Sequence, residues 1–256
     1  MTVDDIRLEP FRDLRADHLR RHDPWFIAEG ALCIRRALEA KLVVSALLVT
    51  EAQWPHFASL VQSETDVIVV EPALMREITG FNFHRGCLAK VQRPAPTPLS
   101  WSALGCRSTV VFGEAVSNPA NVGALVRNCR SLGADALVLD HSSADFYSRR
   151  AIRTGMGALF ALPHAQPSDI TTEISRYRAA TGGAVWAAAL TDSARDLSAF
   201  VRAPHTAIVL GSEGEGLTAA TLAACDGALK IPMSAGADSL NVAAASAVLL
   251  YALARM

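Results

Sequence analysis

Residues 231–241 combine small, polar and turn-forming side chains immediately before a strongly apolar stretch. Pro232 and Gly236 disfavour both helix and strand, so the segment is predicted to be a loop. Ser239 and Asn241 stand where the apolar stretch begins, and their side-chain oxygens can accept hydrogen bonds from the free N–H groups of a helix start. A loop of this length before a buried helix is typical of a ligand site, although a capped core helix after a surface turn fits the same residues.

A second loop, residues 211–216, follows the apolar run 206–210 and contains three glycines. Glycine allows backbone amides to face a flat ligand at close range. Glu213 within this loop is either a functional carboxylate or a loop carboxylate satisfied locally. Because two strand–loop–helix units lie this close in sequence, they predict one pocket at the carboxyl ends of neighbouring strands.

A third candidate follows the apolar run that ends at Phe112. Asn121 is predicted to cap the next helix, and Gly123 permits another backbone to approach its first turn. Arg127 follows Gly123 by four residues and therefore lies on the same helical face. Taken alone, Arg127 is a surface arginine, but its association with Asn121 and Gly123 favours a functional role.

Six further cations are candidates for contacts with nucleic-acid phosphates. One group surrounds a predicted helix start, and the other consists of the arginine of a His-Arg-Gly sequence and two cations after it, with no acidic residue between them. A solvated surface is the alternative for both groups. They are Arg149, Arg150 and Arg153 in the first, and Arg85, Lys90 and Arg93 in the second.

Composition excludes several classes of protein. Of 256 residues, 51% are hydrophobic and 19% are charged, and the net charge of −1 means that a nucleic-acid partner would be bound through local patches. Five scattered cysteines without a CxxC pair and seven histidines without HExxH argue against a disulfide framework or a metal site. No apolar run is long enough to span a membrane and the first 21 residues are too charged for a signal peptide, so a soluble cytoplasmic protein is expected.

These residues must be positioned by strands and helices, and the sequence shows two successive regions in which short apolar segments alternate with helical ones. The first predicts a small α/β/α unit, and prolines at 94, 96 and 98 predict a linker after it. The second begins at Ser108, and its continuous apolar strands predict a parallel sheet covered on both faces. The predicted strands are 25–27, 43–49, 67–70, 87–91, 109–112, 136–139, 160–162, 185–190, 207–210 and 229–231. The predicted helices are 7–22, 31–40, 55–61, 74–79, 122–132, 170–180 and 242–253.

Three sequences in the second alternation together resemble the motifs of a known enzyme family. They are Asn-Pro-Ala-Asn-Val-Gly-Ala-Leu-Val-Arg ending at Arg127, Leu-Gly-Ser-Glu-Gly-Glu-Gly-Leu from Leu210, and Ile-Pro-Met with Ser-Leu-Asn-Val from Ile231 onward. In order and spacing they resemble the motifs of the SpoU/TrmH family, SPOUT-class RNA ribose 2′-O-methyltransferases that use S-adenosylmethionine. The resemblance covers residues 108–255, and the first 93 residues resemble the L30e-like RNA-binding domain that often precedes such an enzyme.

This resemblance implies a domain organisation and a fold. Residues 1–93 would form the L30e-like RNA-binding domain, 94–107 a Pro-rich linker and 108–256 the SpoU methyltransferase domain. The implied fold is α/β, with a SPOUT-type parallel sheet whose carboxyl end forms a deep trefoil knot, an exception to the rule against threaded chains. The resemblance also implies a homodimer with the active site near its interface.

The roles of individual residues follow from the same resemblance. The backbone of Gly211, Ile231 and Leu240, with Met233 nearby, would bind S-adenosylmethionine. Arg127 would engage the target ribose, while the remaining motif residues complete and orient the site: Asn121, Glu213, Ser239 and Asn241. A ribose hydroxyl is a very weak acid. Transfer of a methyl group to it therefore needs positioning of the hydroxyl in line with the methyl group more than it needs a strong base.

The resulting hypothesis is an enzyme that methylates a ribose 2′-hydroxyl of structured RNA, with ribosomal RNA preferred over transfer RNA. A catalytically silent RNA-binding relative is the alternative, but it would not need the intact motif residues. A nucleotide-dependent oxidoreductase is disfavoured because loop 211–216 is not GxGxxG, and a P-loop sequence does not occur.

Overall fold

The strands form two separate sheets in the computed structural model, which describes residues 2–12, 14, 23–80, 83–212, 214–234 and 239–256. The chain divides into two units, each discontinuous in sequence. The first comprises Met1–Ala95 and Asp145–Phe160, and the second comprises Pro96–Ala144 and Ala161–Met256. The four-stranded sheet belongs to the first unit and the seven-stranded sheet to the second.

The elements follow the predicted order closely. The strands are β1 (Trp25–Glu29), β2 (Val44–Thr50), β3 (Asp66–Val70), β4 (Cys87–Gln92), β5 (Ser108–Gly113), β6 (Ala136–Leu139), β7 (His164–Ala165), β8 (Ala184–Ala188), β9 (Arg195–Asp196), β10 (His205–Leu210) and β11 (Gly227–Lys230). The α-helices are α1 (Ala31–Glu39), α2 (Pro72–Thr79), α3 (Pro119–Ser131), α4 (Arg149–Thr154), α5 (Ile170–Thr181), α6 (Ala219–Ala223) and α7 (Val242–Arg255).

In the first unit the strand order is β1-β4-β2-β3. Strand β4 pairs antiparallel with both β1 and β2, whereas β2 and β3 are parallel. Buried aliphatic and aromatic side chains from the sheet, from α2 and from the start of the chain form its core, including Leu8, Phe11, Leu48 and Met75.

The predicted charged helix 7–22 is wrong over its described part. Residues Ile6–Phe11 form a 3-10 helix that contains Pro10, and both Leu8 and Phe11 are fully buried. This segment packs into the core because its two large apolar side chains are three residues apart, which places them on one face of a 3-10 helix. Residues 15–22 of the prediction lie outside the described residues.

The predicted helix 55–61 is also wrong. Only Trp54–His56 form a single 3-10 turn, after which irregular turns lead to β3. Phe57 is fully buried, but its neighbours at 55, 56, 58 and 59 are intermediate or exposed. One buried aromatic side chain is enough to anchor a loop without the repeated apolar face that a stable helix needs.

Residues 145–160 pack in the first unit, although the sequence prediction placed them in the second domain. The Phe26 ring of β1 lies 5.1 Å from that of Tyr147 and 5.8 Å from that of Phe160, measured between ring centroids. Arg93 donates to both carboxylate oxygens of Asp145, at 2.8 and 2.7 Å. These aromatic and ionic contacts join the segment to β1 and to the end of β4.

The second unit is built on a parallel sheet of seven strands in the order β7-β6-β5-β10-β8-β11-β9, which confirms the predicted sheet. Its central strands β5, β6 and β10 are buried almost throughout, as their continuous apolar sequences predict. Trp101 lies within the predicted linker, yet it is buried in this unit and its indole N–H donates to Glu173 at 2.8 Å.

The predicted strand 160–162 is wrong. Residues Ala158–Ala161 form a 3-10 helix, and the strand in this region is the two-residue β7, His164–Ala165. Met156 and Gly157 both have positive φ and turn the chain before this 3-10 helix, and Pro163 has no N–H to donate to a neighbouring strand, so the paired strand begins only at His164. Within the described part of the chain, no helix is long and apolar enough to cross a membrane.

Candidate active site

A cavity of about 390 Å³ lies in the second unit beyond the carboxyl ends of β8, β10 and β11. Residues after each of these strands contribute to its walls, and the start of α7 closes one side. The four residues predicted to bind a cofactor all line it: Gly211, Ile231, Met233 and Leu240. Ser239 also lines the cavity, so residues from the second and third predicted motifs meet at one place.

The loop after β10 closes on itself through backbone contacts. Ser212 N–H donates to Gly216 carbonyl oxygen at 3.3 Å, and Gly216 has a φ of +72°. A Cβ atom at Gly211 would lie 2.5 Å from the carbonyl carbon of Gly216 and 2.8 Å from Leu217 N. Glycine at 211 is therefore required first by closure of the loop, a reason different from the predicted direct approach of a ligand.

The far end of this loop is held by Glu114, a buried carboxylate directly after β5. Its Oε2 accepts a hydrogen bond from Thr218 N–H at 2.8 Å. Its Oε1 accepts from the hydroxyls of Thr218 at 2.9 Å and Thr221 at 2.7 Å. Thr218 in turn caps α6. Sequence reasoning missed Glu114, and its position at the end of a buried strand was the available signal.

A second cavity of about 470 Å³ adjoins the first and shares Ser212, Gly214, Glu215 and Val242 with it. Its other walls come from the loop after β5, from the first turn of α3 and from the loop after β6. These wall residues are mainly small and polar: Ala115, Val116, Ser117, Asn118, Asn121 and Ser142. The shared wall means that two ligands bound in the two cavities would be neighbours.

Asp140 supports the floor of the second cavity. Its Oδ1 accepts from Ala115 N–H at 2.9 Å, and its carboxylate also accepts from the Ser142 hydroxyl. Ala115 has a φ of +55°, a left-handed conformation that is strained for a residue with a Cβ. Burial acts to raise the pKa of Asp140, but hydrogen bonds from Ser142, Ser143 and Ala115 outweigh it and lower that pKa.

The prediction that Asn121 caps α3 is wrong, because the helix begins one turn earlier. Asn118 is the N-cap and accepts from Ala120 N–H at 2.9 Å, since Pro119 favours the first helical position, where no N–H is needed. Asn121 instead accepts a hydrogen bond from Asn241 Nδ2 at 3.3 Å. The predicted cap at Asn241 is confirmed: its side chain accepts from Ala243 N–H at the start of α7.

Asn128 joins helices α3 and α7 by hydrogen bonds that the sequence analysis did not predict. Asn128 Nδ2 lies 2.7 Å from the Ala243 carbonyl oxygen and 2.8 Å from the Ser246 hydroxyl. The first predicted motif is thereby fixed against the third. Asn128 directly follows Arg127, but nothing in the periodicity of α3 distinguishes it from a surface residue.

Arg127 differs from the other predicted catalytic residues that the structure describes. Arg127 lies on α3, is exposed, and lines neither the first nor the second cavity. Among the residues that the structure describes, none forms a hydrogen bond or an ion pair with Arg127. Glu213 lies outside the described residues. The chain thus places Asn121 at the second cavity, hydrogen-bonded to Asn241, and Ser239 at the first, whereas Arg127 lies on an exposed helix face.

The six predicted phosphate-binding cations lie in the first unit and have different surroundings. Lys90 lies over the Trp25 ring at 4.8 Å, while Arg93 is engaged with Asp145 and stacks over the Tyr147 ring. Arg150 is exposed. The other three all approach one buried carboxylate, that of Glu29: Arg85, Arg149 and Arg153.

A parallel sheet with a glycine-containing loop and a capped helix around one cavity defines an α/β protein with a ligand site at its strand ends. The model of the SpoU rRNA Methylase family matches residues 108–251, and that of the MRM3-like substrate binding domain matches residues 7–89. The chain belongs to the SpoU rRNA Methylase family.

Similar proteins are known in bacteria. An uncharacterised tRNA/rRNA methyltransferase of Mycobacterium bovis is 33% identical over 97% of this chain and 88% of its own length. The 23S rRNA (guanosine(2553)-2′-O)-methyltransferase of Bacillus subtilis is 25% identical over 96% of this chain and 94% of its own. The crystal structure of the SpoU methyltransferase AviRb of Streptomyces viridochromogenes, in complex with the cofactor AdoMet, superposes with a TM-score of 0.83 at 25% identity. It covers 98% of this chain and 97% of AviRb.

Proposed function

We propose that this protein transfers the methyl group of S-adenosylmethionine to a ribose 2′-hydroxyl of ribosomal RNA. The feature that supports this function most directly is the pair of adjoining cavities at the strand ends, where the motif loops of the family meet. Membership of the SpoU rRNA Methylase family and the names of its relatives support the same reaction and the same class of RNA. No feature of the described site favours a catalytically silent protein.

The first cavity suits the cofactor in size and in chemistry. Its volume of about 390 Å³ lies within the range of small-molecule sites. Apolar side chains such as Leu210, Leu229 and Leu249 can pack against an adenine ring, while the backbone of Gly211 and Ile231 offers polar groups for its edges. S-adenosylmethionine supplies an electrophilic methyl group on a sulfonium when it is bound. Gly211, Ile231, Met233 and Leu240 are the proposed binding residues.

The second cavity is the proposed site of the target nucleotide. Its volume of about 470 Å³ and its many polar side chains suit a ribose and base, and its shared wall would place the nucleotide beside the cofactor. Asn121 and Asn241 are joined across this region by their hydrogen bond. We assign to them, with Ser239 and Glu213, the task of orienting the ribose.

Arg127 is the proposed residue that engages the ribose in the transition state. Arginine stays protonated in proteins, so its guanidinium would donate hydrogen bonds to the developing alkoxide or to an adjacent RNA phosphate. The hydroxyl proton would pass to that phosphate or to water, and S-adenosylhomocysteine would leave as the S–CH3 bond breaks. Positioning of the hydroxyl in line with the methyl group would then provide most of the rate enhancement.

A homodimer would bring Arg127 to an active site. Helix α7 presents an open apolar stripe of Ala244, Val248 and Tyr251, which recur at spacings of four and three residues and share one face. The Tyr251 side chain is 55% exposed, which is high for an aromatic residue. We propose that this stripe pairs with a second copy, so that α3 and its exposed arginine approach the cavities of the partner subunit.

Transfer of labelled methyl groups tests the function. The purified protein is incubated with radiolabelled S-adenosylmethionine and protein-free bacterial 23S ribosomal RNA, and methylated positions are mapped by their resistance to alkaline cleavage. One alkali-resistant position is expected, because a 2′-O-methyl group removes the internal nucleophile. Label on a base would contradict the proposed reaction, and transfer to transfer RNA alone would contradict the proposed substrate.

A further inference from the structure

In the first unit, the carboxylate of Glu29 is surrounded by more positive charge than it can neutralise. The side chain lies at the end of β1 and is only 3% exposed. Arg149 donates to its Oε2 at 2.6 Å, and both Arg85 and Arg153 approach its Oε1, at 3.5 and 3.4 Å. One buried negative charge thus faces three guanidinium groups, which leaves a local excess of two positive charges.

The three arginines are not equivalent. Arg149 has a side chain that is 15% exposed, and it also donates to the Leu14 carbonyl oxygen at 2.8 Å. Its contacts are those of an internal ion pair. Arg85 and Arg153 are 53% and 35% exposed, and each reaches Glu29 by a single long contact to the same oxygen. A guanidinium carries five N–H donors, so most donors of these two side chains have no partner among the residues that the structure describes.

The backbone holds Arg85 and Arg153 side by side. Gly30 follows Glu29 with a φ of +93°, and a Cβ at this position would lie 3.1 Å from an Arg85 guanidinium nitrogen, so the arginine side chain packs directly over the glycine. Arg153 is presented by α4, which belongs to the segment 145–160 that packs in this unit. Two half-exposed guanidinium groups anchored on one oxygen form an arrangement that suits an anion with several oxygens.

We propose that Arg85 and Arg153 form a clamp for a backbone phosphate of the RNA, with Glu29 and Arg149 as the residues that position it. The inference rests on the proposed RNA substrate and adds where, and by which pair of residues, the first unit holds it. The six predicted cations then have different roles. Arg149 and Arg93 stabilise the unit through internal ion pairs. Arg85 and Arg153 contact RNA. The clamp joins residues that are 68 positions apart in the sequence, one on each side of the linker.

The test uses the 256-residue chain and protein-free bacterial 23S ribosomal RNA, with the dissociation constant measured at several KCl concentrations. In the double variant Arg85→Ala/Arg153→Ala we expect at least a tenfold loss of affinity at low salt. The slope of log affinity against log salt should fall by about one to two units, because one or two phosphate contacts are lost. Affinity for S-adenosylmethionine should be unchanged.

The matched control is Lys41→Ala/Arg76→Ala, which removes the same charge from two other exposed positions of the first unit. If the clamp variant shows the same affinity and slope as this control, the inference is overturned. If the double alanine variant fails to fold, the double variant Arg85→Lys/Arg153→Lys tests the clamp instead. Lysine keeps the charge but cannot grip a phosphate with a planar fork, so affinity should fall severalfold with a nearly normal slope, and wild-type affinity would overturn the clamp.

The two proposals fail in different ways. If the wild-type protein methylates ribosomal RNA while the clamp variant binds RNA as the control does, only the clamp is wrong. If the wild-type protein transfers no methyl group to RNA, the proposed function is wrong whatever the clamp variant does.

Discussion

At the scale of single residues, the position of one helix cap changes the role of its neighbour. Because Asn118 caps α3, the Asn121 side chain is not engaged as the N-cap and is hydrogen-bonded to Asn241, the cap of α7. The Asn121–Asn241 hydrogen bond thus connects the starts of α3 and α7, which are more than a hundred residues apart in sequence. The polar groups of both motifs are held at the second cavity by hydrogen bonds of the helix starts themselves.

Arg127 is the residue on which the proposed mechanism depends most. Arg127→Ala should lower turnover by about two orders of magnitude or more, within the range of positioned acid–base groups. Arg127→Lys should be nearly as poor because it loses the planar guanidinium. Methyl transfer to ribosomal RNA under single-turnover conditions measures both, and S-adenosylmethionine affinity should stay normal.

The control for this pair is Arg130→Ala, which removes an exposed arginine from the last turn of the same helix. It should retain wild-type turnover. An Arg127→Lys protein with near-normal turnover would show that the residue supplies only charge. Full activity in Arg127→Ala would return Arg127 to an ordinary surface role.

Asp140 should make stability depend on pH in the acid range. Its folded-state pKa is lowered from the ordinary value of 3.8, so its contribution is fully present above that value and is lost as the pH falls through the folded pKa. Asp140→Asn should therefore lower the free energy of unfolding by about 1–3 kcal/mol at neutral pH. Urea unfolding at several pH values should show this deficit shrinking as the pH falls below about 4.

Asp192→Asn, at an exposed position of the same unit, is the matched control and should change little at any pH. A deficit in Asp140→Asn that stays constant down to the acid unfolding of the protein would contradict the assigned role. The strained Ala115 would then have to be held by the remaining backbone contacts alone.

At the scale of elements, the loop after β10 depends on the close approach of its own backbone. Gly211→Ala should weaken S-adenosylmethionine binding by tenfold or more, because the added Cβ would meet the Gly216 backbone at 2.5 Å and force the loop open. A larger residue such as valine would distort the loop further, so alanine is the cleaner test. Isothermal titration calorimetry measures the affinity, and circular dichroism checks the fold.

Gly214→Ala lies in the same loop and is the matched control, because a Cβ there meets nothing within 4 Å. Its affinity for the cofactor should stay within a few-fold of wild type. If both variants bind equally well, closure of the loop does not shape the first cavity. If Gly214→Ala alone is impaired, the ligand lies against Gly214 instead.

At the scale of the whole molecule, the apolar stripe on α7 predicts self-association. Val248→Asp/Tyr251→Asp should convert a dimer to a monomer, because two charges would be buried without partners at the contact. Methyl transfer should be lost with it, since Arg127 would no longer reach a cavity. Multi-angle light scattering measures the mass, and the labelled-methyl assay measures the activity.

Val201→Asp is the control on another surface of the second unit, where the native side chain is 87% exposed. It should leave both mass and activity unchanged. A wild-type protein that is monomeric but active would contradict the proposed dimer and would require Arg127 to reach the site within one chain.

The sequence by itself determined the features that depend on local pattern. The continuous apolar strands predicted the parallel sheet, and the residues of the three motif loops predicted the family and the cofactor. Gly211, Ile231, Met233 and Leu240 were predicted in this way to bind the cofactor, and they line one cavity. Such predictions succeed because strand burial, glycine loops and helix caps leave their mark within a few neighbouring residues.

Only the tertiary structure decided which distant residues meet. Glu114 on Thr218, Asn128 on Ser246 and the arginines on Glu29 are contacts between segments up to 124 residues apart, and no local period marks them. Burial of Glu29 at the end of β1 is tolerated only because arginines from two other segments, Arg85 in one and Arg149 and Arg153 in the other, neutralise it. The sequence did not predict that residues 145–160 pack in the first unit, for the same reason. Their ionic and aromatic partners, Arg93 and Phe26, are distant in sequence and come close only in the folded structure.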